Sequence, residues 1–421
     1  MTQTLLIAPG VTLRCCRDHR FKQGRLSLQL VRPMCREEAS LNALLPMVLL
    51  RGTAKHPDIR SVTMHLDDLY GATVGALVRR IGDLQTTGFT CGFTEDRFAL
   101  SGDEILRPVV DFLRELLLDP RTDNGLFCRE IVESEKANLI ADLEAQRNDK
   151  AGYAAGELMK TMCRADSFSV SRLGEKETVA AITAEALYRH YRQILRTSPV
   201  EIFYVGAAEP QQVAALMKRI FEGLDRAPEA MAPQTPFRDA GPIHTRQAQQ
   251  ISQSRLCLGY VTPITNSSPE FAAMQVLNTV LGAGMTSKLF QIVREKMSLC
   301  YSIGSVYYGS KGIVTVSAGI DSDMENVVRS EIERQLDACR RGCITAAELT
   351  AAKEAVLSSL RGVLDSPGAI EGFFSTSALS GLGLSLPAYR EAVTAVTAEA
   401  VAAAARTLRY HSSFFLEGAA R

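Results

Sequence analysis

Six histidines are the residues of this chain best suited to hold a metal ion or move a proton: His19, His56, His65, His190, His244 and His411. A helical zinc site needs two of them one turn apart, with a carboxylate to activate water. No His-x-x-x-His spacing and no His-Glu pair occurs. The nearest grouping, His65 with Asp67 and Asp68, has spacings that do not converge on a helix, so it is expected to be a solvated surface. Ten cysteines contain no Cys-x-x-Cys pair; Cys15-Cys16 are vicinal, and Cys339 and Cys343 stand one helical turn apart. Reduced thiols are expected rather than a metal cluster or a disulfide framework. Gly282-Ala283-Gly284 lacks the third glycine and the Gly-Lys-Ser/Thr of phosphate-cradling loops, so it is expected to be a loop at positive φ.

At 421 residues the chain exceeds one ordinary core, and 46% hydrophobic residues are enough to fill two. Lys+Arg and Asp+Glu each total 47, and this balance argues against nucleic acid or an anionic membrane as the main partner. No apolar run reaches membrane-spanning length. Met1 to Cys16 shows no basic stretch leading into an apolar core, so a cytoplasmic location is expected.

The elements that would position any site come in two copies. Val179–Ala186, a helix and Glu201–Ala208 resemble Val393–Ala400, a helix and Ser413–Ala420, about 214 residues later. Thr183 and Thr397 fit helix N-caps in the two copies. Leu106–Leu118 resembles Met324–Leu336, Phe127–Leu143 resembles Glu348–Leu364, and Tyr70–Gly75 resembles Tyr301–Val306. Alternation predicts strands at Arg25–Leu30 and Arg255–Tyr260, and a hairpin joining Val306–Tyr308 to Gly312–Ala318. Arg226 to Pro242 holds four prolines and little periodicity, as a linker would. The expected organisation is α+β: residues 1–228 form one domain, 229–245 a linker and 246–421 a second domain, each an antiparallel sheet packed with helices.

Two motifs carry a resemblance. Leu281-Gly282-Ala283-Gly284-Met285-Thr286-Ser287-Lys288-Leu289-Phe290, followed by Arg294-Glu295-Lys296 and Leu299-Cys300-Tyr301-Ser302, resembles the signature of the insulinase/pitrilysin (M16) metallopeptidases. Ala43 to Thr53 resembles the helix that carries the His-x-x-Glu-His zinc site of that family and ends in Lys-Gly-Thr. The resemblance implies a duplicated M16 (LuxS/MPP-like) fold. Set on Arg51-Gly52-Thr53, its frame puts Ala43 and Met47 where the zinc histidines belong and Pro46 where the catalytic glutamate belongs. On the long helix, Glu133, Glu135 and Lys136 set a frame that puts Asp142 near the third ligand position. A methyl group, a proline and a thioether neither ligate zinc nor abstract a proton, so no catalytic residue, no metal and no cofactor is expected. The apolar spacing of Leu41, Leu44, Leu45, Val48 and Leu49 continues through Pro46, which predicts one kinked helix.

The family places an arginine and a tyrosine seven positions apart against the substrate, and Arg294 and Tyr301 have that spacing. A guanidinium and a phenol suit carbonyl oxygens or a developing oxyanion. The resemblance therefore implies a zinc-less subunit that supplies Arg294 and Tyr301 to a zinc-bearing M16 partner for peptide processing. The competing readings are a non-catalytic homodimer that binds peptide or acts as a scaffold, and an active peptidase with atypical ligands. The run Leu66–Ala72 further resembles the bacterial subfamily associated with aminopentanol modification of elongation factor P.

Overall fold

The computed structural model describes residues 2–418, so Ala419 and Ala420 of the second repeat copy lie outside the described residues. Two compact units form, and neither is one continuous stretch of chain. The first comprises Met1–Glu144, Val170–Pro233 and Val363–Thr376; the second comprises Ala145–Ser169, Gln234–Gly362 and Ser377–Arg421.

The first unit is built on a six-stranded sheet in the order Thr2–Ala8, Val11–Arg17, Val200–Gly206, Gln23–Pro33, Leu84–Thr94, Thr73–Ile81. Gln23–Pro33 and Leu84–Thr94 pair antiparallel from Gln23↔Thr94 to Pro33↔Leu84. Alternate residues on these strands point into the core, where Leu26, Leu28 and Phe89 are fully buried. Against them lies Leu106–Leu118, with the bounds the sequence predicts. Its Val109, Phe112, Leu113, Leu116 and Leu117 recur at helical spacing and are all buried. Burying one such side chain contributes about 1.5–3 kcal/mol.

The second unit repeats the plan. Its five-stranded sheet runs Ser302–Tyr308, Ile313–Ile320, Ser254–Val261, Arg409–Gly418, His244–Gln249. Read from the other edge, both sheets place first strand, last strand, second, fourth and third, with Thr2–Ala8 added to the first sheet. Thr183 Oγ1 accepts from Ala186 N at 3.1 Å and Thr397 Oγ1 from Ala400 N at 3.2 Å, so both copies of the capped helix are present. The hairpin predicted around Gly312 forms, with Tyr308↔Ile313 its innermost pair.

Three features depart from the sequence expectations. The sheets are not wholly antiparallel: Val11–Arg17 runs parallel to Val200–Gly206, and His244–Gln249 runs parallel to Arg409–Gly418. In each case the strands open and close a half, and the helices between them supply the long crossover that parallel pairing requires. Each unit also takes up a segment from the other half of the sequence. In the second unit Lys150–Met162 packs Ala154, Leu158, Met159 and Met162 among Cys257, Val261, Ile313 and Phe414. In the first unit Glu371, 1% exposed, accepts from both Nη atoms of Arg79 at 2.9 and 2.8 Å, and from Ser27 Oγ at 2.6 Å. Finally, the proline-rich segment is tied down. Ala227 N and Glu229 N donate to the carbonyls of Arg196 and Thr197 in the first unit, and Arg238 N donates to Asp166 in the second.

Candidate functional site

The helix Arg36–Leu49 runs through Pro46. Proline has no N–H to give to the carbonyl four residues back, so Asn42 O loses its helical donor. Thr87 Oγ1 replaces it at 2.6 Å. The side chain of Asn42 is equally committed, donating to Gln85 Oε1 at 2.8 Å and meeting His190 Nε2 at 2.7 Å. Burial holds the His190 pKa down to about 4, so the ring is neutral at ordinary pH.

Of the zinc-frame positions, Ala43 is fully buried, Pro46 is buried and Met47 packs on the core. Asp142 is exposed on the helix Arg129–Gln146. On the same helix Glu135 is buried and bonded to Arg51 at 2.9 Å, which ties this helix to the turn after Arg36–Leu49. Among the described residues no group of three or more His, Cys, Asp or Glu is placed to hold a metal ion. The side chains of Ala43, Pro46 and Met47 offer no donor that fits zinc.

His65 is not the free surface residue its sequence neighbours suggested. Its ring stacks on His56 at 4.4 Å and leans on Phe112 at 5.1 Å. The spacing of His65 to Asp67 and Asp68 contains no trace of His56, which reaches it from the preceding loop. A Ser-His-Asp chain also exists: Ser412 Oγ lies 2.7 Å from His411 Nδ1, and His411 Nε2 lies 2.9 Å from Asp239. Ser412 is fully buried and already accepts from Ile243 N, so it cannot reach a substrate.

The exposed chemistry lies in the second unit. The buried helix Phe271–Leu281 stops at Gly282, and the chain turns through Gly284 into Ser287. Only Gly284 has positive φ, at +125°. Gly282 is needed for another reason: a Cβ there would stand 2.7 Å from Ser305 Oγ and 2.9 Å from Ser305 N. Ser287 Oγ donates to Gly284 O at 2.6 Å, closing the turn. Lys288 is nearly buried and reaches Glu348 at 2.7 Å, which fixes the following helix to Ala346–Gly362.

That helix, Leu289–Lys296, is wound as a π-helix and ends with Met297 N donating to Ile292 O at 2.9 Å. Such widened turns occur often at functional sites. Arg294 projects from it with its guanidinium 4.6 Å from the Phe290 ring centre and its side chain 40% exposed. Tyr301 is 61% exposed, with its hydroxyl 3.3 and 3.4 Å from the two Asp321 oxygens. The Asp321 charge raises the phenol pKa, so Tyr301 stays a proton donor. The Arg294 charge is felt at Cys300, the residue before Tyr301, whose pKa burial pushes up to about 11 against it.

The first unit repeats the tyrosine but not the arginine. Tyr70 OH lies 2.5 Å from Asp103 and accepts from Leu100 N at 3.0 Å, and position 63 in the Arg294 place is threonine. Tyr70 is thus saturated by its own unit, whereas Tyr301 is loosely held and open. Asp321 and the π-helix were not anticipated from sequence; the position of Asp321 directly after a strand was the available signal for that residue.

Residues 181–356 match the family described as "Peptidase M16 inactive domain". "Probable inactive metalloprotease YmfF" of Bacillus subtilis (strain 168) is 26% identical over 409 residues, 97% of this chain and 96% of that protein. The solved structure of a conserved protein from Enterococcus faecalis V583 superposes with TM-score 0.91 at 27% identity, covering 100% of this chain and 99% of that one. The peptidase M16 inactive domain from Pseudomonas fluorescens shares the fold, with TM-score 0.83 at 19% identity over 100% of this chain and 98% of that one. Over nearly its whole length this chain is thus similar to proteins described as inactive M16 metalloproteases, and Ala43, Pro46 and Met47 stand in the zinc frame.

Proposed function

We propose that this chain is the zinc-less subunit of a peptide-processing pair, and that Arg294 and Tyr301 grip the substrate for a zinc-bearing M16 partner. The observation that carries the reading is an asymmetry. The zinc frame has been filled by apolar side chains that pack, while Arg294 and Tyr301 remain exposed with weak internal partners. Residues kept only for stability would be satisfied internally, as Tyr70 is. A guanidinium and a protonated phenol offer donors to peptide carbonyls or to a developing oxyanion. The ten free thiols support a reducing compartment, in keeping with a cytoplasmic site of action. The likeness of Leu66–Ala72 supports membership of the subfamily associated with elongation factor P modification.

The test is reconstitution with a zinc-bearing M16 homologue from the same genome. Zinc-dependent peptide cleavage by the mixture that falls about tenfold to hundredfold with Arg294→Ala supports the proposal. A stable homodimer that ignores the zinc protein would favour the scaffold reading. Stoichiometric zinc on this chain alone would overturn both.

A further inference from the structure

Two histidines of the first unit meet away from the exposed arginine and tyrosine. His56 belongs to the loop after the helix Arg36–Leu49, and His65 to the helix Ile59–Asp68. Their rings stack with centres 4.4 Å apart and planes 23° from parallel. Both lie against Phe112 of Leu106–Leu118, at 5.9 and 5.1 Å. Two neutral imidazoles can stack in this way, whereas two imidazolium charges at that distance repel.

The two rings differ in their access to a counter-ion. His56 Nε2 faces Glu115 Oε2 at 3.6 Å; both atoms are sealed from solvent, and neither makes a hydrogen bond among the described residues. A proton on His56 turns that contact into an ion pair, with Lys55 Nζ 3.5 Å from the other Glu115 oxygen as a competitor. Arg121 also meets this loop, giving to Pro57 O at 2.7 Å. The acids next to His65 on its own helix, Asp67 and Asp68, are exposed, so they steady a charge there only weakly. Burial, and after it the neighbouring His56, holds the His65 pKa below the ordinary 6.5; Lys55 adds to this, while Glu115 and Asp68 oppose it without prevailing.

The rings are also held unequally. The loop of His56 is pinned: His56 N donates to Thr53 Oγ1 at 2.8 Å, Thr53 N to His56 O at 2.7 Å and Ala54 N to Asp119 O at 2.8 Å. The helix of His65 has ten residues, of which Val62 is buried and Leu66 partly buried on the core. So short a helix depends on its packing, and the His65 stack is one of its few anchors.

We infer that the stacked pair is an acid-operated latch: when both rings are protonated the stack breaks, and the helix Ile59–Asp68 releases Leu106–Leu118 while the loop of His56 stays in place. Release bares the Phe112 ring that His65 covers. Below the ordinary histidine pKa the released helix binds one more proton than the latched one. Its population therefore grows about tenfold for each unit the pH falls, until the latched His65 itself titrates. The latch involves neither Arg294 nor Tyr301, so it and the proposed function can fail separately.

The experiment is hydrogen–deuterium exchange of the full chain, read by mass spectrometry at steps from about pH 7.5 to about pH 5, with each rate divided by the intrinsic rate at that pH. Peptides covering residues 59–69 should lose protection about tenfold per unit in the lower part of this range, while Leu106–Leu118 stays far better protected at every step. His65→Phe keeps a ring for His56 and Phe112 but cannot titrate, and its protection over 59–69 should not change with pH. His65→Gln loses the stack and should start lower but be equally flat, which keeps the test open if the phenylalanine does not fit. Constant protection in wild type, or a pH dependence that survives both substitutions, would overturn the inference. So would equal protection of the two helices, because the first unit would then open only as a whole.

Discussion

His190 makes the stability of the first unit depend on acid in a way that can be worked out in advance. The ring is 5% exposed, and its Nε2 is held 2.7 Å from Asn42 Oδ1 beside the proline-containing helix. In the unfolded chain it takes up a proton near pH 6.5, whereas burial lowers that value to about 4 in the folded one. Between those values the unfolded state binds the extra proton, so folding weakens as the pH falls. The effect is absent above about pH 7, grows through the window from 6.5 to 4 and levels off below it. The full difference corresponds to about 3 kcal/mol, and somewhat over 2 kcal/mol should be lost by about pH 4.5. The assay is urea unfolding of wild type and His190→Gln at steps from about pH 7 to about pH 4.5, following the transition of the first unit. Glutamine keeps an amide facing Asn42 but does not titrate. The stability gap between the two proteins should shift in favour of the variant by about 2 kcal/mol across that range. Parallel pH profiles would refute the reasoning and mean that the ring charges in place.

Thr87→Val should cost about 1–2 kcal/mol, because the Asn42 carbonyl freed by Pro46 loses its donor. Adding Pro46→Ala should return most of that loss by restoring a helical N–H, which a double-mutant cycle reads directly. Glu371→Ala strands Arg79 and Ser27 and should destabilise the first unit by about 3–5 kcal/mol, seen as a lowered thermal midpoint. Tyr301→Phe should leave the unfolding midpoint within about 0.5 kcal/mol of wild type, since the side chain is 61% exposed, while lowering peptide turnover of the reconstituted pair.

Local signals were read well because they are local. The caps at Thr183 and Thr397 need only the hydroxyl and the three residues after it, and the apolar stripe of Leu106–Leu118 fixes that helix by periodicity alone. The duplication was legible because two stretches of the same pattern fold to the same order of strands. What escaped was set at long range. Nothing in Lys150–Met162 says which sheet its Ala154, Leu158 and Met162 will cover. Parallel pairing of the outer strands joins residues almost 190 positions apart in the first unit. Near the candidate site, the hold of Asp321 on Tyr301 depended on a hairpin that brings residues 20 positions apart together. Pro46 was read as a kink in its helix; the compensating Thr87 lies on a strand whose register only the folded sheet fixes.

The segment 363–376 within the first unit has a consequence for how this chain is made. A ribosome releases the strands carrying Ser27, Gln29 and Arg79 well before the carboxylate that completes them, which belongs to residue 371. The nascent first unit therefore waits, with its polar cluster open, until residue 371 has emerged. Gene fragments cut at the proline-rich segment would encode neither unit complete, however cleanly the repeat divides on paper.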